Sequence, residues 1–132
     1  MLKKLGHIGI MVTDLDRAIE KFKGFGLPCT EILESKKLGH RTGILSIGDT
    51  SIELICDTEP VLDDPMVRVV MGQKGVINHL CFEVDDLETS IKKFEKNGAK
   101  LVESCPRPGG HGRIAFFYPE TTEGVLIELC EV

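Results

Sequence analysis

The sequence predicts an α+β fold made of two tandem βαβββ modules, and three observations support that prediction. Residues 7–31 recur at 79–103 with a constant shift of 72 positions, and nine of the 25 aligned residues are identical. The Ile-Glu-Leu triplet at 52–54 returns at 127–129, a shift of 75. Both copies place a helical apolar stripe directly after a run that reads as a strand. Such a repeat indicates a duplicated supersecondary unit.

The duplication divides one domain, 1–132, into module one at about 1–57, a connector at 58–75 and module two at 76–132. A chain of this length can bury a core without disulfides. The strands of both modules are expected to form a curved sheet or open barrel around a metal site, with the helices outside.

Module one is predicted to begin with a strand, because residues 5–12 are rich in Ile and Val. Thr13 is the expected N-cap of the helix that follows, and Gly24 and Gly26 are expected to end it. Three strands in hairpin order complete the module, at 29–34, 40–47 and 51–56.

In the connector, Asp64 followed by Pro65 predicts a short helix over 65–71. Module two then repeats the plan, with Asp85 as the expected cap of a helix that Gly98 ends. Its strands are predicted at 77–84, 100–103, 113–118 and 125–131, and a Pro/Gly-rich loop spans 105–112.

Composition excludes several classes of protein. A net charge of -5, one Tyr and no Trp argue against a nucleic-acid binder. The N-terminal residues have neither a long apolar core nor a cleavage site, so we expect no membrane span and no signal peptide. Five dispersed cysteines without a CxxC pair are typical of reduced thiols, which predicts a cytoplasmic location.

Strand alternation places four polar residues on the face opposite the helices: His7, Glu53, His79 and Glu128. A lone His or Glu on a strand is usually a solvated surface residue, but recurrence at matching repeat positions is not expected of surface residues. Two carboxylates and two imidazoles would balance the charge of a divalent cation. This donor set suits zinc, nickel, cobalt, manganese or iron.

The chain resembles the vicinal oxygen chelate superfamily through the His-initiated strands, the VxDL helix starts and the Ile-Glu-Leu strand ends. The resemblance implies one divalent metal ion held by His7, Glu53, His79 and Glu128. Nickel and zinc are the preferred candidates for this ion, and cobalt and manganese come after them. The resemblance also implies a homodimer and a small thiol adduct or acyl thioester as substrate.

Two families of that superfamily compete. The segment PRPGGHGRIAFFYPETTEGVLIEL resembles methylmalonyl-CoA epimerase, but that family usually has Gln at the position of Glu53 and a catalytic Glu at the position of Thr42. The His, Glu, His, Glu set resembles bacterial glyoxalase I (lactoylglutathione lyase), and on this ground we favour glyoxalase I. In that interpretation Glu128 removes a proton next to a carbonyl, and Glu128 or Glu53 returns it.

Weaker predictions concern the anionic end of the substrate, for which Arg107, His111 and Arg113 are candidates. A non-catalytic resistance protein of the same fold is a further alternative, although such proteins often lack the ligands. An iron dioxygenase and a metal-dependent thiol transferase are two more alternatives. Those enzymes typically need no acid at the position of Glu53, so the presence of Glu53 counts against both.

Overall fold

The computed structural model describes residues 2–59, 61–73 and 76–132. Positions 60, 74 and 75 of the predicted connector lie outside the described residues. Within those ranges the helices are α1 (Leu15–Gly24), α2 (Pro65–Met71) and α3 (Leu87–Lys96), with a 3-10 turn at Pro119–Thr121. The strands are β1 (Leu2–Met11), β2 (Cys29–Ser35), β3 (His40–Ile47), β4 (Thr50–Asp57), β5 (Ile77–Val84), β6 (Arg107–Pro108), β7 (Arg113–Phe116) and β8 (Ile127–Glu131).

All eight strands form one sheet in the order β2-β3-β4-β1-β5-β8-β7-β6. Strands β1 and β5 pair antiparallel at its centre, whereas β1 runs parallel to β4 and β5 runs parallel to β8. Each module therefore contributes one half of a curled sheet, with the repeated strands meeting in the middle. The predicted α+β fold of two βαβββ units is confirmed.

The apolar side chains pack beneath the helices in two clusters, one for each module. Leu15 of α1 packs with Leu45 and Leu54 in module one. Leu87 of α3 belongs with Leu129 to the larger cluster of module two. Burial of such a side chain contributes roughly 1.5–3 kcal/mol. Because strand residues alternate, this burial turns the neighbouring polar residues toward the concave face.

Both helix caps lie one residue later than predicted. Asp14 accepts a hydrogen bond from the amide of Arg17 at 3.1 Å, and Asp86 accepts one from the amide of Thr89 at 3.0 Å. Each carboxylate reaches the amide three residues on, which is the geometry of an N-cap. Neither Thr13 nor Asp85 is the cap residue.

The predicted strand at 100–103 is reduced to a single bridge between Leu101 and Phe117. The amide of Lys100 donates to the hydroxyl of Thr121 at 3.0 Å, so it is not available for a strand ladder. Competition from a side-chain acceptor of this kind is a common reason for a strand to stop short.

The connector helix α2 is as predicted. Asp64 is its N-cap and accepts from the amide of Met66 at 3.0 Å, with Pro65 at the first helical position. Its inner face, including Met66 and Val70, is buried. Across the described parts of the chain, neither this helix nor any other is long and apolar enough to cross a membrane.

Candidate metal centre

The strand register brings the four predicted ligand residues together at the middle of the sheet. Gly9 of β1 lies opposite Glu53 on one side and opposite His79 on the other. Two residues away along the strands, Cys81 of β5 lies opposite His7 of β1 on one side and opposite Glu128 of β8 on the other. Residues directly opposite one another share a face, so all four side chains project into the concave side.

Three donor atoms converge there. Nε2 of His7 lies 3.0 Å from Nε2 of His79, and each of these nitrogens lies 3.1 Å from Oε1 of Glu128. His79 and Glu128 are buried, and the side chain of His7 is 13% exposed. These three residues form a group whose donors could hold a single ion.

Glu53 lies on the far side of the His7 ring. Its Oε2 atom is 3.0 Å from Nδ1 of His7, so Glu53 and Glu128 contact opposite nitrogens of the same imidazole. The group of three converging donors does not include Glu53. The carboxylate of Glu53 therefore orients His7 in this structure.

The electrostatics of the cluster favour a positive charge at its centre. Burial by itself would lower the pKa of His7, but hydrogen bonds to Glu128 and Glu53 outweigh burial and raise the pKa to about 10. Burial would likewise raise the pKa of Glu128, yet hydrogen bonds from His7 and His79 lower it to about 2. A cation bound at Nε2 of His7 would replace the proton held there.

The donor spacing fits a divalent metal ion. Two donors at right angles around an ion, each about 2.1 Å from it, are about 3.0 Å apart. The observed separations of 3.0–3.1 Å among His7, His79 and Glu128 match that value. Imidazole nitrogen with carboxylate oxygen suits first-row transition metals, as the sequence predicted.

A cavity of about 830 Å³ opens over the cluster. That volume lies within the range of small-molecule sites, roughly 300–1,000 Å³. Its wall includes Thr42 and His40 of β3, and burial lowers the pKa of His40. Thr42 is buried, and its hydroxyl cannot replace a carboxylate as a proton acceptor at neutral pH.

The three weaker candidates for substrate binding fall in different places. Arg107 lines the cavity, but its guanidinium is paired with Asp64 at 2.5 Å. His111 also lines the cavity. Arg113 is not among the lining residues, and it pairs with Glu88 of α3 at 2.6 Å and with Glu131 at 3.9 Å. The described structure thus brings two of the three candidates to the cavity.

Asn78 and Gly9 also belong to the site, although the residue pattern did not predict a role for either. The amide of Asn78 contacts Nδ1 of His79 at 2.8 Å, and Gly9 provides the space in which the His79 ring lies. A comparison of the two repeats contains the signal for Asn78. Position 78 corresponds to Gly6 in module one, so the buried Asn is specific to the second copy.

Fold and cluster together define a class of protein: a duplicated βαβββ sheet whose concave face carries a His/Glu site suited to a divalent metal. The family model of the Glyoxalase/Bleomycin resistance protein/Dioxygenase superfamily matches residues 6–117 of this chain. The chain belongs to that superfamily.

Several relatives are methylmalonyl-CoA epimerases. The mitochondrial methylmalonyl-CoA epimerase of Dictyostelium discoideum is 29% identical, over 97% of this chain and 78% of the relative. A variant of the Streptomyces coelicolor methylmalonyl-CoA epimerase, solved with 2-nitronate-propionyl-CoA, has a TM-score of 0.84 at 25% identity, covering 99% and 95% of the two chains. The Mycobacterium tuberculosis epimerase has a TM-score of 0.82 at 28% identity, covering 98% and 88%.

These relatives overturn the choice of glyoxalase I. The predictions of a lyase, of methylglyoxal detoxification and of nickel followed from that choice and are wrong as well. The epimerase alternative has the better support. The choice depended on the presence of Glu rather than Gln at position 53. In this structure the Glu53 carboxylate accepts a hydrogen bond from His7, and the amide oxygen of a Gln could accept the same bond, so this position does not separate the two families.

Proposed function

We propose that the protein is a metal-dependent epimerase of a short branched acyl-CoA of the methylmalonyl-CoA type. The observation that carries this proposal is the convergence of His7, His79 and Glu128 at the floor of a cavity large enough for an acyl thioester. Similarity to methylmalonyl-CoA epimerases along nearly the whole chain gives independent support.

The metal would be one divalent ion held by His7, His79 and Glu128, with Glu53 as the fourth candidate ligand. Cobalt, manganese and zinc suit these donors. When bound, the ion would polarise the thioester carbonyl of the substrate as a Lewis acid. Because the Glu53 carboxylate is directed at Nδ1 of His7, its binding to an ion at Nε2 would require its side chain to turn.

Glu128 is the proposed base. Its carboxylate takes the proton from the carbon between the two carbonyl groups, and the C–H electron pair moves toward the thioester carbonyl oxygen. Glu53 in its protonated form then delivers a proton to the opposite face of that carbon, which inverts its configuration, and exchange with water removes the proton from Glu128 and returns one to Glu53. The positions of the two acids on opposite sides of the His7 ring favour this division of roles.

The phosphates of the CoA ester need hydrogen-bond donors at the cavity. His111 lies on the wall, and Arg107 could contribute if it exchanged Asp64 for the substrate. Arg113 does not belong to this set, because its guanidinium forms ion pairs with Glu88 of α3 and Glu131 of β8.

The test is an exchange assay on protein stripped of metal and reloaded separately with cobalt, manganese or zinc. Single stereoisomers of methylmalonyl-CoA are supplied in deuterated water, and NMR follows deuterium uptake at the epimerised carbon together with loss of stereochemical purity. We expect uptake only with metal-loaded protein. If each stereoisomer keeps the proton on this carbon and its configuration with every ion, the proposal is wrong.

We also propose a homodimer in the cytoplasm. Exposed apolar side chains at Phe25, Ile32 and Ile47 support an interface between copies, and all five cysteines are free thiols, as in a reducing compartment. Sedimentation velocity on the purified chain would test the dimer, and a monomer at micromolar concentration would contradict it.

A further inference from the structure

The two histidines of the cluster are held by different partners, although they occupy equivalent repeat positions. Nδ1 of His7 faces the carboxylate of Glu53, whereas Nδ1 of His79 lies 2.8 Å from Oδ1 of Asn78. The residue preceding His7 is Gly6, which has no side chain for this purpose. Orientation of His79 is therefore a separate feature of module two.

A chain of donors and acceptors fixes the state of the His79 ring. The carbonyl oxygen of Val70 can only accept, so it must face the NH₂ group of Asn78, which donates to it at 2.9 Å. The Oδ1 atom of Asn78 must then face His79 and accept from it. Nδ1 of His79 consequently carries a proton and donates it to Asn78, which leaves Nε2 to face His7 and Glu128.

This network connects the metal cluster to helix α2. Val70 belongs to the last turn of α2, and its side chain lines the cavity with those of Met66 and Val67. Both Asn78 and His79 are nearly inaccessible, at 3% and 5% exposure, so water does not compete for these hydrogen bonds.

We propose that Asn78 is a positioning residue for the metal ligand His79 and that it makes helix α2 part of the metal centre. The inference depends on the metal site of the proposed function. Partners that orient a ligating His typically change metal affinity by about 10- to 100-fold when they are removed.

The experiment measures binding of Co²⁺ and of Zn²⁺ alone, by calorimetry, to the full chain and to three variants. Asn78→Ala removes both hydrogen bonds and should weaken binding about 10- to 100-fold. Asn78→Asp keeps an acceptor for His79 but places a carboxylate oxygen against the carbonyl of Val70. It should therefore bind metal within a few-fold of wild type and melt at a lower temperature.

Asn97→Ala is the matched control, because Asn97 is the other asparagine of the chain and caps α3 on the exposed surface. It should leave metal affinity unchanged. If Asn78 were only a buried structural residue, Asn78→Ala would lower the melting temperature with no change in affinity, which would overturn the proposal.

A measurement on the metal-free wild-type protein covers the case in which Asn78→Ala does not fold. Nitrogen-15 NMR of the imidazoles reports which ring nitrogens carry a proton, and Nδ1 of His79 is expected to be protonated. An unprotonated Nδ1 would refute the network. Failure of the wild-type chain to bind either ion would instead count against the metal site itself.

Discussion

Gly9 lies under the imidazole of His79, and a methyl group added there would collide with the ring. A Cβ atom built on Gly9 would be 2.4 Å from Cε1 and 2.6 Å from Nδ1 of His79. Ordinary van der Waals contact begins near 3.4 Å, so the ring would have to retreat by about 1 Å. A site of this kind tolerates displacements of only about 0.5 Å.

We therefore expect Gly9→Ala to damage the metal site more than the fold. Overpacking of this size costs roughly 1–3 kcal/mol of stability. Displacement of the His79 ring should break its contact with Asn78 and weaken the binding of Co²⁺ or Zn²⁺ by at least about tenfold. Calorimetric titration and thermal melting of the same preparations measure the two effects separately.

Gly6→Ala on the same strand is the matched control. A Cβ atom at Gly6 would meet the flexible side chain of Glu83 at 3.3 Å and the backbone of Cys81 at 3.5 Å, contacts that small adjustments can absorb. This variant should fold and bind metal like the wild type. Wild-type affinity in Gly9→Ala would refute the reasoning, because it would mean that His79 does not need its position over Gly9.

Three further predictions concern single side chains. Glu128→Gln should abolish deuterium exchange into methylmalonyl-CoA while leaving much of the metal binding, and an active variant would exclude Glu128 as the base. Arg113→Ala should leave the rate of exchange unchanged, because this guanidinium pairs with Glu88 outside the cavity; a large loss of rate would place Arg113 in the site. Arg107→Met should destabilise the fold at pH 7 by roughly 1–3 kcal/mol, since it breaks a partly buried ion pair. Burial opposes ionisation of Asp64, but hydrogen bonds, chiefly from Arg107, hold its pKa below the usual value. The pair therefore stabilises the fold above about pH 4 and loses that effect as the pH falls through the pKa of the folded state. Chemical denaturation at pH 7 and at pH 3 should show a smaller difference between Arg107→Met and wild type at the lower pH.

The choice between two related enzyme families could not be made from the ligand residues alone. The presence of Glu at position 53 was the ground for separating them, yet this side chain accepts a hydrogen bond from His7, which the amide oxygen of a Gln could also accept. The deciding information was distributed over the whole chain, in the similarity to epimerases. A residue type identifies a donor atom but does not say which partner that atom meets.

The sequence by itself determined the duplicated fold, the face on which His7, His79 and Glu128 lie, and the short helix capped by Asp64. These follow from local rules, because periodicity assigns a face and a capping residue marks a helix start. Only the tertiary structure decided that Glu53 holds His7 and that Asn78 joins His79 to helix α2. Such contacts depend on the register between strands distant in sequence and on how the connector helix docks, which no local pattern encodes.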